Sequence, residues 1–262
     1  MRYRETVPAD DLRDHILSFW EFAVPADAPE LVDFEIFPDG CVSLFHFRNR
    51  RDGIDTIGLT GLNLSTVAKR VSPGDEIRGV RFSPAALAGM LGRDPKYLVD
   101  GNGSGCEDLP GILGDVFEQV SQAGEFVEAV NVFESYFRNI IATGAGRVDL
   151  KIASAVSLIE AARADINVEN LANSVGLSTR QLQRRFKVSS GLSPKQFIRC
   201  RRMRYAAVHL VEQTLRNWAE RAADIGFADQ SHLTHEFAAI TNRSPVDFAR
   251  GIARVDHGEI IK

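Results

Sequence analysis

Cysteine is scarce in this chain. Its 262 residues contain three, Cys41, Cys106 and Cys200, and an odd number at such separations forms neither a disulfide framework nor a zinc-ligand spacing. No run approaches the roughly 18 consecutive apolar residues of a membrane helix. The opening Met1-Arg2-Tyr3-Arg4-Glu5 lacks the apolar stretch of a signal peptide, so a cytoplasmic protein with no membrane partner is expected. The six histidines include no His-x-x-x-His pair, and there is no Cys-x-x-Cys, no Gly-x-Ser-x-Gly elbow and no phosphate-binding loop. His46 follows Cys41 by five residues, which puts the two on opposite faces of one strand and argues against a Cys–His pair. Glycine clusters at 101, 103 and 105, but no Lys-Ser/Thr follows and no βαβ pattern surrounds it, so the stretch reads as a surface loop. No catalytic constellation, metal site or cofactor is expected, and the chain does not read as an enzyme.

Negative charge is missing from one long interval. No Asp or Glu occurs from Asn170 to Val211, while Arg180, Arg184, Arg185, Lys187, Lys195, Arg199, Arg201, Arg202 and Arg204 fall inside it. The net charge of −4 conceals the asymmetry: residues 1–146 carry 13 basic and 23 acidic side chains, and residues 147–262 carry 18 and 12. A basic half behind an acidic one points to a nucleic-acid partner for the second half.

What is present is a repeat. Val168, Leu171, Ala172, Val175, Gly176 and Leu177 reappear as Trp218, Arg221, Ala222, Ile225, Gly226 and Phe227. Leu182, Phe186, Gly191, Ser193-Pro194 and Phe197 reappear as Leu233, Phe237, Asn242, Ser244-Pro245 and Phe248. The offset is 50 residues in the first part and 51 in the second, because Phe227-Ala228-Asp229 is one residue longer than Leu177-Ser178. Val168, Leu171, Ala172 and Val175 mark one face of a helix, Asn167 is a fitting N-cap, and Gly176 can end the helix in the left-handed conformation. Ser178 then caps a second helix that buries Leu182 and Phe186. The repeated unit is a helix-turn-helix.

The outer face of the first unit carries Thr179, Arg180, Gln183 and Arg184, residue types that read base edges in a major groove. Ser178, Arg185, Lys187, Arg199 and Arg202 are phosphate candidates. In the second unit, Asp229 or Ala228 starts the helix and Leu233 and Phe237 are buried. Gln230, Ser231, Thr234 and His235 face out, and His232 either bonds a phosphate or sets against the preceding helix. Arg221 falls where the repeat requires an apolar residue. Between the units, Pro194 opens a long helix of about 18 residues, which spans roughly 27 Å and can separate two reading helices by about one turn of DNA, ~34 Å.

Gly176-Leu177-Ser178, Leu182-x-x-x-Phe186, Gly191-x-Ser193-Pro194 and Phe197, joined by Gly226-Phe227, Asp229-Gln230-Ser231-His232-Leu233, Phe237 and Ser244-Pro245-x-x-Phe248, closely resemble the DNA-binding region of AraC/XylS-type transcription regulators. The resemblance covers roughly residues 150–252. It implies a bacterial transcription factor that binds double-stranded DNA at an operator or promoter and contacts RNA polymerase. DNA-repair methyltransferases with a similar unit need a zinc-binding cysteine set that this chain lacks.

The first half reads as β-rich. Leu12, His15-Ile16, Phe19-Trp20 and Phe22 suggest a short amphipathic helix passing into a strand. Strands are expected at 32–37, 41–47, 54–59, 67–71 and 77–82, punctuated by Pro38-Asp39-Gly40 and Pro73-Gly74. Ser83-Pro84 opens a helix through Leu91, with Gly92 as its stop. The early Leu-x-x-x-Ile-x-x-Phe-Trp pattern, Pro38-Asp39-Gly40-Cys41 and Gly79-Val80-Arg81-Phe82-Ser83-Pro84 resemble a poorly characterised domain that precedes AraC-type DNA-binding regions. Two apolar-periodic helices near 109–141 can pack on the β domain or form the seam of a homodimer. The expected organisation is an α+β sensor or dimerisation domain over 1–142, a linker at 143–149, and an all-α domain over 150–262 with two helix-turn-helix units joined by a long helix. Trp20, Phe22, Phe37, Phe45 and Phe47 are candidates to line a pocket for a small-molecule effector. The alternatives are a constitutive DNA binder whose first domain dimerises or recruits a partner, and a redox or electrophile sensor built on Cys41.

Overall fold

The computed structural model describes residues 1–28, 31–92, 94–99, 114–212, 227 and 229–247, with backbone alone at 32–34, 114–115 and 209–212. Outside the described residues lie the glycine cluster at 101–105, Cys106, the start of the first helix near 109, the stretch from Trp218 through Gly226 with Arg221, Ala228, and Phe248.

Five antiparallel strands form the main sheet in the order β1-β2-β7-β4-β5, namely β1 (Arg2–Thr6), β2 (Ile16–Ala23), β7 (Asp75–Phe82), β4 (Ser43–Asn49) and β5 (Ile54–Leu59). A separate two-stranded ribbon pairs β3 (Val32–Ile36) with β6 (Val67–Val71). Alternation gives the main sheet two different faces. Phe19, Val80, Leu44 and Ile57 project to one face, where α2 (Gly114–Gln122) and α3 (Phe126–Ala142) pack. There Phe19 stacks on Phe133 at 6.2 Å, and Phe82 meets Phe137 edge-on at 5.5 Å. The apolar stripe of α3 is therefore core of this domain.

The same face carries a row of charge in cross-strand register, His46, Arg78, Glu21 and Arg4. Buried Arg78 donates from Nε to Glu21 Oε1 at 3.1 Å, from Nη1 to the Ala123 carbonyl at 2.7 Å, and from Nη2 to the Gly124 carbonyl at 2.8 Å. Arg4 donates to the other Glu21 oxygen at 3.0 Å. One guanidinium thus satisfies carbonyls left open where α2 ends, and a carboxylate keeps it paired.

Two local readings differ from the structure. The spacing Leu12, Ile16, Phe19 mimics a helix, but only the 3-10 turn Asp10–Leu12 forms before β2 begins at Ile16. A register shift between Ile16 and Ser18 is the cause: an extra residue in a strand turns Ile16 and Phe19 to the same face, which helical spacing imitates. β1 escapes the hydrophobic pattern because its neighbours are held by ion pairs, with Arg2 and Arg4 on Glu21. The helix expected from Ser83 starts later, as α1 (Leu87–Leu91), after a turn in which the Ala86 and Leu87 N–H groups donate to the Ser83 carbonyl.

The 143–149 stretch runs tightly against α1. Gly146 N–H donates to the Gly89 carbonyl at 3.3 Å and the Asp149 N–H to the Ala85 carbonyl at 3.1 Å. A Cβ at Gly89 would come within 2.3 Å of the Arg147 backbone. The helical part follows: α4 (Leu150–Ala161), α5 (Val168–Ser174), α6 (Thr179–Ser190), α7 (Pro194–Glu212) and α8 (Gln230–Thr241). Its ends are set by short-range chemistry. Asp149 caps α4, Asn167 caps α5, a Ser178–Gln181 capping box opens α6, and Asp229 caps α8. Left-handed Gly176, Gly191 and Asn242 close the turns that follow α5, α6 and α8. α7 carries two small cores: Phe197 and Ile198 belong to the first unit's, and Met203, Ala206 and Ala207 to the second's. Among the described residues, no helix is long and apolar enough to cross a membrane.

Replacing Arg78 with Leu should lower the unfolding free energy by about 3 kcal/mol, because two carbonyls and one oxygen of a buried carboxylate lose their donor. Urea unfolding followed by circular dichroism measures it, and a loss below about 1 kcal/mol would contradict this role.

Candidate nucleic-acid interface

The reading helices bury what the repeat requires. Leu182 and Phe186 of α6, and Leu233 and Phe237 of α8, are fully buried. That orients the remaining faces outward. Thr179, Arg180, Gln183 and Arg184 are exposed on α6, and Gln230, Ser231, Thr234 and His235 on α8. Ser178 is exposed too, but its hydroxyl accepts the Gln181 N–H at 3.2 Å, so it serves first as a cap. Thr234 donates its hydroxyl back to the Gln230 carbonyl at 2.8 Å. His232 is exposed with its ring edge against Phe227 at 5.3 Å, so it sets against the residue that precedes its own helix.

The phosphate candidates divide sharply. Lys187 is exposed. Arg185 instead holds both oxygens of Asp149, at 2.9 and 2.7 Å, and so fixes the cap of α4. Arg202 donates twice to the Ala164 carbonyl, at 3.2 and 2.9 Å, and its guanidinium lies 6.0 Å from the centre of the Phe227 ring. It pins the α4–α5 turn, where Arg163 and Ala164 adopt positive φ. Arg199 is bound to Glu236 of α8 at 2.7 Å. Two further arginines of the acid-free interval face inward: Arg201 is buried on Glu160, and Arg204 pairs with Glu5 of β1. Burial alone would raise the Glu160 carboxyl; Arg201 and the Tyr205 hydroxyl more than offset this and hold it below the ordinary range. Of the nine cations, Arg180, Arg184, Lys187 and Lys195 are the exposed ones, the others being half-buried or buried. Five of the nine cations in the basic interval thus hold groups of the scaffold.

Between the two units a cleft of about 570 Å³ opens, lined by Asn167 and Val168 at the start of α5, by Lys195, Arg199 and Arg202 of α7, and by His232 and Glu236 of α8. Basic and apolar walls predominate, with Glu236 as the acidic member.

The effector-pocket candidates do not form one group. Trp20, Phe22, Phe45 and Phe47 all project from the sheet face opposite the helices. Trp20 lies over Gly79, where a Cβ would come within 2.3 Å of the indole, and a Cβ on Gly58 would come within 2.8 Å of the Phe45 ring. Phe22 is buried with Val24 and Val71, Trp20 and Ile77 packing beside it. Phe37 leaves this set: it packs on Phe237 of α8 with ring centres 6.0 Å apart. Sequence reasoning had no signal for that contact, which joins residues 200 positions apart.

Cys41 and Cys200 are buried. Burial, reinforced by Asp39, pushes the Cys41 thiol far above its ordinary range and the Cys200 thiol up to about 12. A thiol that does not ionise is a poor nucleophile, which weighs against a Cys41-based sensor. Among the described residues no cluster of His, Cys, Asp and Glu is arranged to hold a metal ion.

The capped α5–α6 helix-turn-helix, with the similarly capped α8 beyond the connecting helix, has the form of a helix-turn-helix DNA-binding unit. Comparison with known families agrees: residues 171–251 match a helix-turn-helix domain, and residues 4–103 match a domain of unknown function (DUF6597). The match to a helix-turn-helix domain thus lies towards the C-terminal end of the chain, after the match to the uncharacterised domain. No curated protein matches it. Similar solved structures include a transcriptional regulator with an AraC-type DNA-binding domain from Chromobacterium violaceum, 28% identical over 40% of this chain and 93% of the other, TM-score 0.36. The C-terminal domain of the response regulator yesN from Fusobacterium nucleatum is 24% identical over 36% and 93%, TM-score 0.34. ToxT from Vibrio cholerae is 10% identical over 96% and 99%, TM-score 0.45.

Two expectations follow. Arg184→Ala should cost about 1–3 kcal/mol of DNA binding and relax base preference at one position, with unchanged thermal unfolding because the side chain is exposed. Glu236→Gln should release Arg199 and steepen the log–log salt dependence of binding by about 1; an unaltered slope in a salt titration would show that Arg199 stays away from the phosphates.

Proposed function

We propose that this DNA-binding regulator reads an operator of two boxes about one helical turn apart, α6 in one major groove and α8 in the next. The observation that carries this is the exposed Arg180, Gln183, Arg184 face of α6, with Gln230, Ser231, Thr234 and His235 at the matching places on α8. Arginine and glutamine there offer paired donors and acceptors to guanine and adenine. Lys187 and Lys195 supply phosphate contacts, and the basic cleft between the units faces the backbone that separates the boxes. The first reader is the stronger one: α6 brings two free arginines, whereas α8 brings a histidine and a glutamate held by Arg199.

The N-terminal domain is a ligand-responsive module in this reading. The aromatic face of the sheet, with Trp20, Phe45 and Phe47 half-buried over glycine-bearing strands, suits a small apolar or aromatic effector. The regulator acts in the cytoplasm at a promoter, in contact with RNA polymerase. We assign it no catalytic step. α3 commits its buried aromatic residues to the sheet, so pairing of two copies would use another face.

The test is selection of DNA from a random pool by the full-length protein, followed by titration of the selected duplex with salt and with a small-molecule library. Two boxes, an affinity that falls about tenfold or more between 50 and 200 mM salt, and at least one compound that shifts both affinity and melting temperature are expected. A single box, or a flat salt response, would overturn the DNA-reading part. A library without effect would favour constitutive binding.

A further inference from the structure

The two units end their reading helices in the same way. Ser190 Oγ donates to the Phe186 carbonyl at 2.8 Å and accepts the Leu192 N–H at 3.1 Å. Fifty-one residues later, Thr241 Oγ1 donates to the Phe237 carbonyl at 2.8 Å and accepts the Arg243 N–H at 3.1 Å. A residue with positive φ, Gly191 or Asn242, sits between. Leu192 and Arg243 are therefore structural equivalents, each presented on the loop behind a reading helix.

The N-terminal domain holds both. Leu192 is fully buried in the hydrophobic core that the main sheet shares with α2 and α3. Beside it, a Cβ on Gly191 would lie 3.0 Å from Leu62 and 3.1 Å from the Pro95 backbone. Arg243 pairs with Glu35 of β3 at 2.7 Å. On the same side of α8, Thr66 donates its N–H to the Ile240 carbonyl at 3.0 Å and its hydroxyl at 3.3 Å. That carbonyl belongs to the last turn of α8, where helices lack internal donors. Phe37 completes the second unit's small core against Phe237.

A single connecting helix leaves two units free to twist about it. A second body bonded to both removes that freedom. We propose that the N-terminal domain sets the distance and phase between α6 and α8, with Leu192, Arg243, Glu35, Thr66 and Phe37 as positioning residues that touch no DNA. The proposal rests on the reading of α6 and α8 as the two DNA-reading helices. It also gives the β3–β6 ribbon a task, since both of its strands run to the ends that grip α8.

Spacing tolerance is the property a merely stabilising contact would not change. One inserted base pair rotates one box against the other by about 35°. On the duplex selected by the full-length wild type, that insertion should lower wild-type affinity on the order of 10–100-fold, the range of a base-pair mismatch. In full-length Arg243→Glu and Phe37→Ala the same insertion should cost about threefold or less, with protection of the α6 box retained as the control for folding. The double variant Glu35→Arg/Arg243→Glu should recover the wild-type penalty, and Phe37→Leu should keep most of it. An unchanged insertion penalty in both single variants would overturn the proposal, as would loss of both boxes that the charge swap fails to rescue. Failure of the wild type to select a two-box duplex would overturn the DNA-reading assignment itself.

Discussion

The carboxylate of Glu5 joins the two halves of this molecule. It lies buried between Arg81 of the sheet and Arg204 of the connecting helix, and Arg81 reaches on to Asp39 and the Ser18 hydroxyl. Burial would raise this carboxyl; the two guanidiniums more than offset it and hold it far below the ordinary range. A group so depressed contributes stability above its ordinary pKa, and that contribution fades only as acid protonates it. Buried ion pairs of this kind add little net stability over an apolar contact, but they penalise any arrangement that leaves one partner alone. They therefore define where α7 lies on the sheet, and both helix-turn-helix units hang from α7.

The arginines of the second half divide along the same logic. Arg185, Arg199, Arg201, Arg202 and Arg204 each hold a group outside the acid-free interval, respectively Asp149, Glu236, Glu160, the Ala164 carbonyl and Glu5. Arg180 and Arg184 lie on the first two turns of α6, with Leu182 and Phe186 directed into the core behind them. An interval without carboxylates thus serves two ends. It leaves the outer face of α6 without carboxylates, and it lets distant carboxylates lock the scaffold.

Much of the fold was legible residue by residue. Capping by Asn167, Ser178 and Asp229, left-handed Gly176 and Gly191, the buried pairs of the reading helices and strands at 54–59 and 67–71 all emerge from spacings of a few residues. The bulge in β2 and the charged strand β1 were not legible. The first reproduces helical spacing, and the second is stabilised by pairs such as Arg4–Glu21, which alternation of apolar residues does not report. The aromatic set of the sheet was legible in composition but not in grouping: register unites Trp20, Phe22, Phe45 and Phe47 and sends Phe37 elsewhere.

The sequence by itself determined the helix-turn-helix repeat, its caps and its outward faces, because periodicity and capping act within one or two helical turns. Only the tertiary structure decided which cations remain exposed, and that the first domain packs against the loops behind both α6 and α8. Those outcomes depend on partners 36 to 208 residues away, and no local pattern encodes which distant carboxylate or ring will arrive beside a given side chain.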